Sequence, residues 1–97
     1  MRHFEIFPGQ SITITEIRLF FDNAQLKLVL AIEADKIQHI LSFANVSRLY
    51  IQNISAPIEI QSLEIVDNSS LGWGRESTYL VRDFEDNMLS FYCEDYD

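Results

Sequence analysis

Gln25-Leu26-Lys27-Leu28-Val29-Leu30-Ala31-Ile32-Glu33 is the stretch that decides the fold. Leu26, Leu28, Leu30 and Ile32 take every second position, and Lys27, Val29, Ala31 and Glu33 fill the others. Side chains alternate between faces along a strand, so this segment is a β-strand with one strongly apolar face and one mixed face. The run before it, residues 11–21, begins in one parity with Ile12 and Ile14 and finishes in the other with Ile17, Leu19 and Phe21. A regular strand would turn the second set away from the core. The parity switch therefore predicts a β-bulge near Thr15-Glu16. Asp22-Asn23 joins the two runs with residues that tolerate positive φ, which predicts an antiparallel hairpin.

Downstream, residues 35–45 satisfy two templates. Ile37, Ile40 and Leu41 fit helical spacing with Asp35 as a cap, whereas Ile37, His39, Leu41 and Phe43 fit a strand. The strand is favoured, because β-rich segments flank it on both sides. Leu49 and Ile51 then alternate with Arg48, Tyr50 and Gln52. Residues 53–57 form a break, since Pro57 removes a ladder donor and restricts its predecessor. Ile58 and Ile60 resume the alternation, followed by Leu63 and Ile65. Asp67-Asn68-Ser69-Ser70 and Gly72-Trp73-Gly74 make the longest loop, and residues 77–84 and 88–94 are the last two strands, joined by Glu85-Asp86-Asn87. There is no repeat of fixed period and no βαβ rhythm. The expected fold is mainly β, an antiparallel meander forming a small sandwich or partial barrel; the alternative is α+β with one helix near residues 35–44.

The chain has 97 residues, expected to form one domain over residues 1–97. Its 47% hydrophobic content and seven Phe argue for an ordered core rather than an acidic disordered segment. No stretch approaches the roughly 18 uninterrupted apolar residues of a membrane span. Met1-Arg2-His3-Phe4-Glu5 lacks the apolar region of a signal peptide, so the expected location is cytoplasmic. Cys93 stands alone, without a partner for an internal disulfide, and its place in an apolar alternation makes it a small buried hydrophobe.

The catalytic inventory is thin. His3 and His39 are the two histidines, and neither has a His, Cys or carboxylate at ligand spacing. With three glycines in total, a phosphate-cradling loop is hard to build, and the nucleophile-elbow pattern is absent. Asp83-Phe84-Glu85-Asp86-Asn87 resembles the opening of a calcium loop, but Met88 occupies the position of the sharp-turn glycine. Glu85 and Glu94 are the carboxylate pair to nominate for acid–base work, yet clustered surface acids in an acidic protein are ordinarily solvated. The expectation is a protein with no enzymatic activity, no metal and no cofactor.

Charge is more informative. The formal net charge is −8, and residues 83–97 contribute Asp83, Glu85, Asp86, Glu94, Asp95 and Asp97 with no Lys or Arg. Such a bias repels nucleic acid and anionic membranes and steers basic partners inward. Leu89, Phe91 and Cys93 share one face of the last strand, and with Phe84 they are expected in the core; Tyr92 and Glu94 lie on the opposite face. Trp73, between two glycines, either offers its ring to a partner or folds back as a lid on the sheet, the lid being favoured. The candidate partner-binding set is therefore Trp73, Asp83, Glu85, Asp86, Tyr92, Glu94 and Asp95. Its expected occupant is a basic protein. The competing reading is a homo-oligomerising structural module, a homodimer in its simplest form, built through exposed edge strands.

Leu41-Ser42-Phe43-Ala44-Asn45-Val46-Ser47-Arg48-Leu49, then Pro57-Ile58-Glu59-Ile60 and Leu63-Glu64-Ile65, form one apolar pattern; Tyr79-Leu80-Val81-Arg82-Asp83-Phe84-Glu85 and Ser90-Phe91-Tyr92-Cys93 extend it. The pattern resembles that of small β-rich bacterial proteins similar to immunity proteins of polymorphic toxin systems. The resemblance implies a β-rich fold and an immunity-type inhibitor of a basic toxin. It covers about half the chain and carries no binding motif, so it assigns no site residue.

Overall fold

The computed structural model of the protein describes residues 2–52 and 58–97, and the break at residues 53–57 lies outside them. The described strands are β1 (Arg2–Ile6), β2 (Ile12–Asp22), β3 (Gln25–Ala34), β4 (Ile37–Ala44), β5 (Ser47–Ile51), β6 (Ile58–Ile60), β7 (Leu63–Asp67), β8 (Tyr79–Asp83), β9 (Leu89–Cys93) and β10 (Asp95–Tyr96). They form two five-stranded sheets, β1-β7-β8-β9-β5 and β10-β4-β3-β2-β6, in which every neighbouring pair is antiparallel. The fold is thus a mainly β sandwich. Residues 37–44 are a strand, because a strand there completes the β2-β3-β4 meander and turns Phe43 inward.

Alternation builds the core. Leu28, Leu30 and Ile32 from β3 meet Leu63 and Ile65 from β7, Val81 from β8, and Leu89, Phe91 and Cys93 from β9. Phe43 and Phe91 join the two sheets edge to face, with ring centroids 4.9 Å apart. Ser69–Leu71 and Arg75–Ser77 are single 3₁₀ turns between β7 and β8.

The bulge falls where the parity switch placed it. The β2–β3 register shifts between Ile14 and Glu16, and the Thr15 hydroxyl donates to the Ala31 carbonyl at 3.2 Å. Past the bulge Ile17 faces Leu30 and packs against the core, whereas Leu19 and Phe21 keep the same parity but are exposed. The hairpin loop itself is Asn23-Ala24, one residue later than Asp22-Asn23, because Asp22 pairs with Gln25. Both loop residues lie in the left-handed region (φ 52° and 63°), the geometry of a type I′ turn. Asp35-Lys36 repeats it between β3 and β4, with φ 51° and 64°.

The chain is less sequential than a meander. β2-β3-β4 and β7-β8-β9 are consecutive within their sheets, but the chain changes sheet after β1, β4, β5, β6 and β9, which leaves β1, β5, β6 and β10 at the edges. None of the described helices is long and apolar enough to cross a membrane.

Candidate functional site

Asp83 is 1% exposed, and its side chain serves its own turn. Oδ1 accepts the backbone N–H groups of Glu85 (3.2 Å) and Asp86 (3.4 Å), and Oδ2 accepts that of Met88 (3.1 Å). Phe84 N–H donates to the Ser62 carbonyl at 3.0 Å and Asn87 N–H to the Asp83 carbonyl at 3.2 Å. Every backbone donor from residue 84 to 88 is thereby satisfied within the protein, which fixes the turn. Asp83 organises the surface from beneath rather than belonging to it.

The rigid turn presents Phe84, which is 60% exposed, followed by exposed Glu85 and Asp86. Placing Phe84 in the core was incorrect; Leu89, Phe91 and Cys93 are fully buried as expected. The physical reason is register. Val81 and Asp83 point inward with β8, so Arg82 and Phe84 point outward. The Arg82 guanidinium lies 5.5 Å from the Phe84 ring centroid, while Arg82 Nε donates to Glu64 Oε1 at 2.7 Å. Arg82 thus stacks under Phe84 and neutralises Glu64, leaving the charges of Glu85 and Asp86 uncompensated by it.

Cross-strand registers extend this surface along the outer face of the same sheet. Arg82 faces Ser90, and Ser90 faces Tyr50 on β5, one row from the turn. In the next row Leu80 faces Tyr92, over whose ring the Arg48 guanidinium sits at 5.5 Å. Arg48 is in the left-handed region (φ 53°) at a second register shift, between Ser47 and Tyr50. Phe84, Glu85, Asp86, Tyr50 and Tyr92 thus share one side of the sandwich. Sequence reasoning missed Phe84 and Tyr50, although strand parity counted outward from Val81 and Phe91 would have found Phe84.

The remaining members of the candidate set are elsewhere. Tyr79 faces Cys93 and Arg82 faces Ser90, so residue 94 leaves β9 at the end opposite the 84–88 turn, about 17 Å along the strand. Glu94 Oε1 accepts from Asn45 Nδ2 at 3.0 Å, bracing the β4–β5 corner, and Asp95 continues into β10 of the other sheet. The tail anions are therefore divided between two ends of the molecule, and the expected single negative patch does not form. Glu85 and Glu94, the candidate acid–base pair, are separated in the same way. Trp73 lies at the Glu94 end, 57% exposed in the β7–β8 loop, so it is not a lid. Nearby, the hydroxyl and amide of Ser69 hold the Asp67 carboxyl below its ordinary value.

Among the described residues, no three His, Cys, Asp or Glu side chains converge as metal ligands. Cys93 is buried, and desolvation pushes its thiol up to about 12, with Asp95 adding to the effect. A surface concavity of about 310 Å³ lies over the other sheet between Phe20, Lys27, Val29 and Asp95, away from the 84–88 turn. No protein-family model, curated protein or solved structure matches the chain.

Proposed function

We propose that this chain is a small acidic protein-binding domain without catalytic activity, and that its partner is a basic protein, specifically a toxin domain held inactive by the complex. The observation that carries the reading is Phe84, an exposed ring on a turn pre-ordered by Asp83 and followed by two exposed carboxylates. A pre-ordered apolar anchor loses little conformational entropy on docking. Aromatic anchors dominate dissociation rates, and rim charges dominate association rates. Glu85 and Asp86 would steer a cationic partner, and Phe84 with Tyr50 and Tyr92 would hold it. The net charge of −8 favours the same partner class, and the strand pattern's likeness to immunity proteins narrows it to a toxin.

The test is first whether a neighbouring gene encodes a toxin with a basic domain, and then a kinetic titration against that domain. Association should slow as salt rises, and Glu85→Lys with Asp86→Lys should slow it further. Phe84→Ala should speed dissociation by about 30-fold, the effect of losing roughly 2 kcal/mol at an interface anchor. Trp73→Ala should change neither rate. If the turn variants leave both rates untouched, this surface is not the site. A second reading, self-association, is favoured by a different surface, the edge of β2 beyond Ile14, which has no second strand partner among the described residues.

A further inference from the structure

β6 pairs with β2 only from Ile12 to Ile14, so the rest of β2 is bonded to β3 on one side alone among the described residues. Among the described residues that edge has no second partner, and between Arg18 and Asp22 it is apolar. Leu19, Phe20 and Phe21 are all exposed, Phe21 to 78%. Soluble proteins ordinarily blunt such an edge with charge, proline or a very short strand, because it is a template for another strand.

Hydrogen-bond parity determines which residues can pair there. Asp22 closes the two-residue hairpin loop opposite Gln25, so the even positions Asp22, Phe20 and Arg18 direct their backbone groups to β3. Leu19 and Phe21 direct theirs to the open edge. A second copy adding antiparallel through a two-fold axis must therefore match odd positions with odd ones. Three central registers do so. Centring the axis on Arg18 sets Arg18 against Arg18 of the other copy. Centring it on Leu19 sets Glu16 against Asp22. Centring it on Phe20 sets Arg18 against Asp22 twice and Leu19 against Phe21 twice, with Phe20 meeting its own copy. Opposite charges directly across a ladder are favourable and like charges are not. Only the Phe20-centred register satisfies both charges.

We propose that the protein forms a two-fold dimer through β2, with Phe20 on the axis, joining two five-stranded sheets into one. Each Leu19–Phe21 pair exchanges two N–H···O bonds and covers apolar surface. The dimer leaves the outer face of the β1-β7-β8-β9-β5 sheet, and hence the Phe84 turn, unobstructed. It is independent of the proposed partner.

Sedimentation equilibrium on the full chain tests this, with circular dichroism confirming that each variant is folded. The wild type should be a concentration-dependent dimer. Arg18→Asp and Asp22→Arg should each weaken association at least about tenfold by placing like charges opposite one another twice. The double variant Arg18→Asp/Asp22→Arg should restore it, an outcome that loss of monomer stability cannot mimic. Phe20→Lys should give a monomer. A wild type that stays monomeric at millimolar concentration, a dimer indifferent to the single reversals, or a double variant that fails to recover overturns the proposal.

Discussion

The carboxylate of Asp83 reaches back over its own turn to the backbone of Met88, accepting that N–H at 3.1 Å from a position only 1% exposed. The same group holds the N–H groups of Glu85 and Asp86. Truncation would leave three donors unpaired at a closed turn. A hydrogen bond to a charged group contributes about 1.5–3 kcal/mol, and three sharing one acceptor are less than additive, so Asp83→Ala should cost about 3 kcal/mol. Asp83→Asn keeps the shape but only one acceptor oxygen, and should lose roughly half as much. Urea denaturation of both, beside Asp86→Ala as a surface control expected within about 0.5 kcal/mol of wild type, checks the ordering.

The β2–β3 and β3–β4 hairpin loops each place two non-glycine residues in the left-handed region, and Ala24, at φ 63°, gains nothing there from its side chain. An L-residue in that region costs about 1–2 kcal/mol, which glycine avoids at an entropic cost of about 0.5–1 kcal/mol. Ala24→Gly should therefore stabilise the fold by about 0.5–1 kcal/mol, turning the loop into the Asn-Gly pair that type I′ turns prefer. Lys36→Gly in the β3–β4 loop should act the same way. Thermal unfolding midpoints, compared with wild type, decide the sign.

What was legible beforehand depended on range. The alternation through residues 25–33, the parity switch at Thr15-Glu16 and the β8–β9 hairpin are local properties of the chain, and each appears in the fold. The edge strands were not legible. β1 is mostly exposed and carries no clean alternation, β10 has two residues, and nothing local marks β5 and β6 as belonging to different sheets. The site failed for a related reason. Hydropathy sends Phe84 inward and Asp83 outward, but the turn needs a carboxylate beneath its backbone, and strand register then carries Phe84 to the surface. Likewise a run of acids close in sequence is not a patch in space, because β9 lies between its halves.

Cys93 should be inert in the native protein. Its thiol keeps its proton up to about pH 12, whereas an unfolded cysteine ionises near 9.0. Native protein should resist a thiol-reactive disulfide reagent at pH 8 and react with one equivalent in urea. The same shift makes stability depend on alkaline pH. Below pH 9.0 both states hold the proton and the contribution is complete; between 9.0 and about 12 only the unfolded state releases it. Stability should then fall by up to about 1.4 kcal/mol per pH unit from this group. Cys93→Ala should flatten that part of the slope relative to wild type, while losing about 1 kcal/mol of packing at neutral pH.

Thr15 gives the most direct test of why the sandwich holds together. As the extra residue of the bulge it lets Ile12 and Ile14 before it, and Ile17 after it, all face the core side. Thr15→Ala keeps the backbone and removes only the hydroxyl's bond to the Ala31 carbonyl, a loss of about 1 kcal/mol. Deleting Thr15 tests the bulge itself. Thr15 is the residue without a partner on β3, so its removal leaves Ile14 opposite Ile32, Glu16 opposite Ala31 and Ile17 opposite Leu30, with Ile12, Ile14 and Ile17 on the core face in strict alternation. The deletion should therefore fold and unfold cooperatively, with a loss close to that of Thr15→Ala. Deleting Thr13 instead makes Ile12 and Ile14 neighbours, so that one of these two buried side chains must turn away from the core, and should cost several kcal/mol. Urea denaturation of the two deletions decides: a Thr15 deletion as damaging as the Thr13 deletion would mean that the twist supplied by the bulge, not the parity of β2, holds the core together.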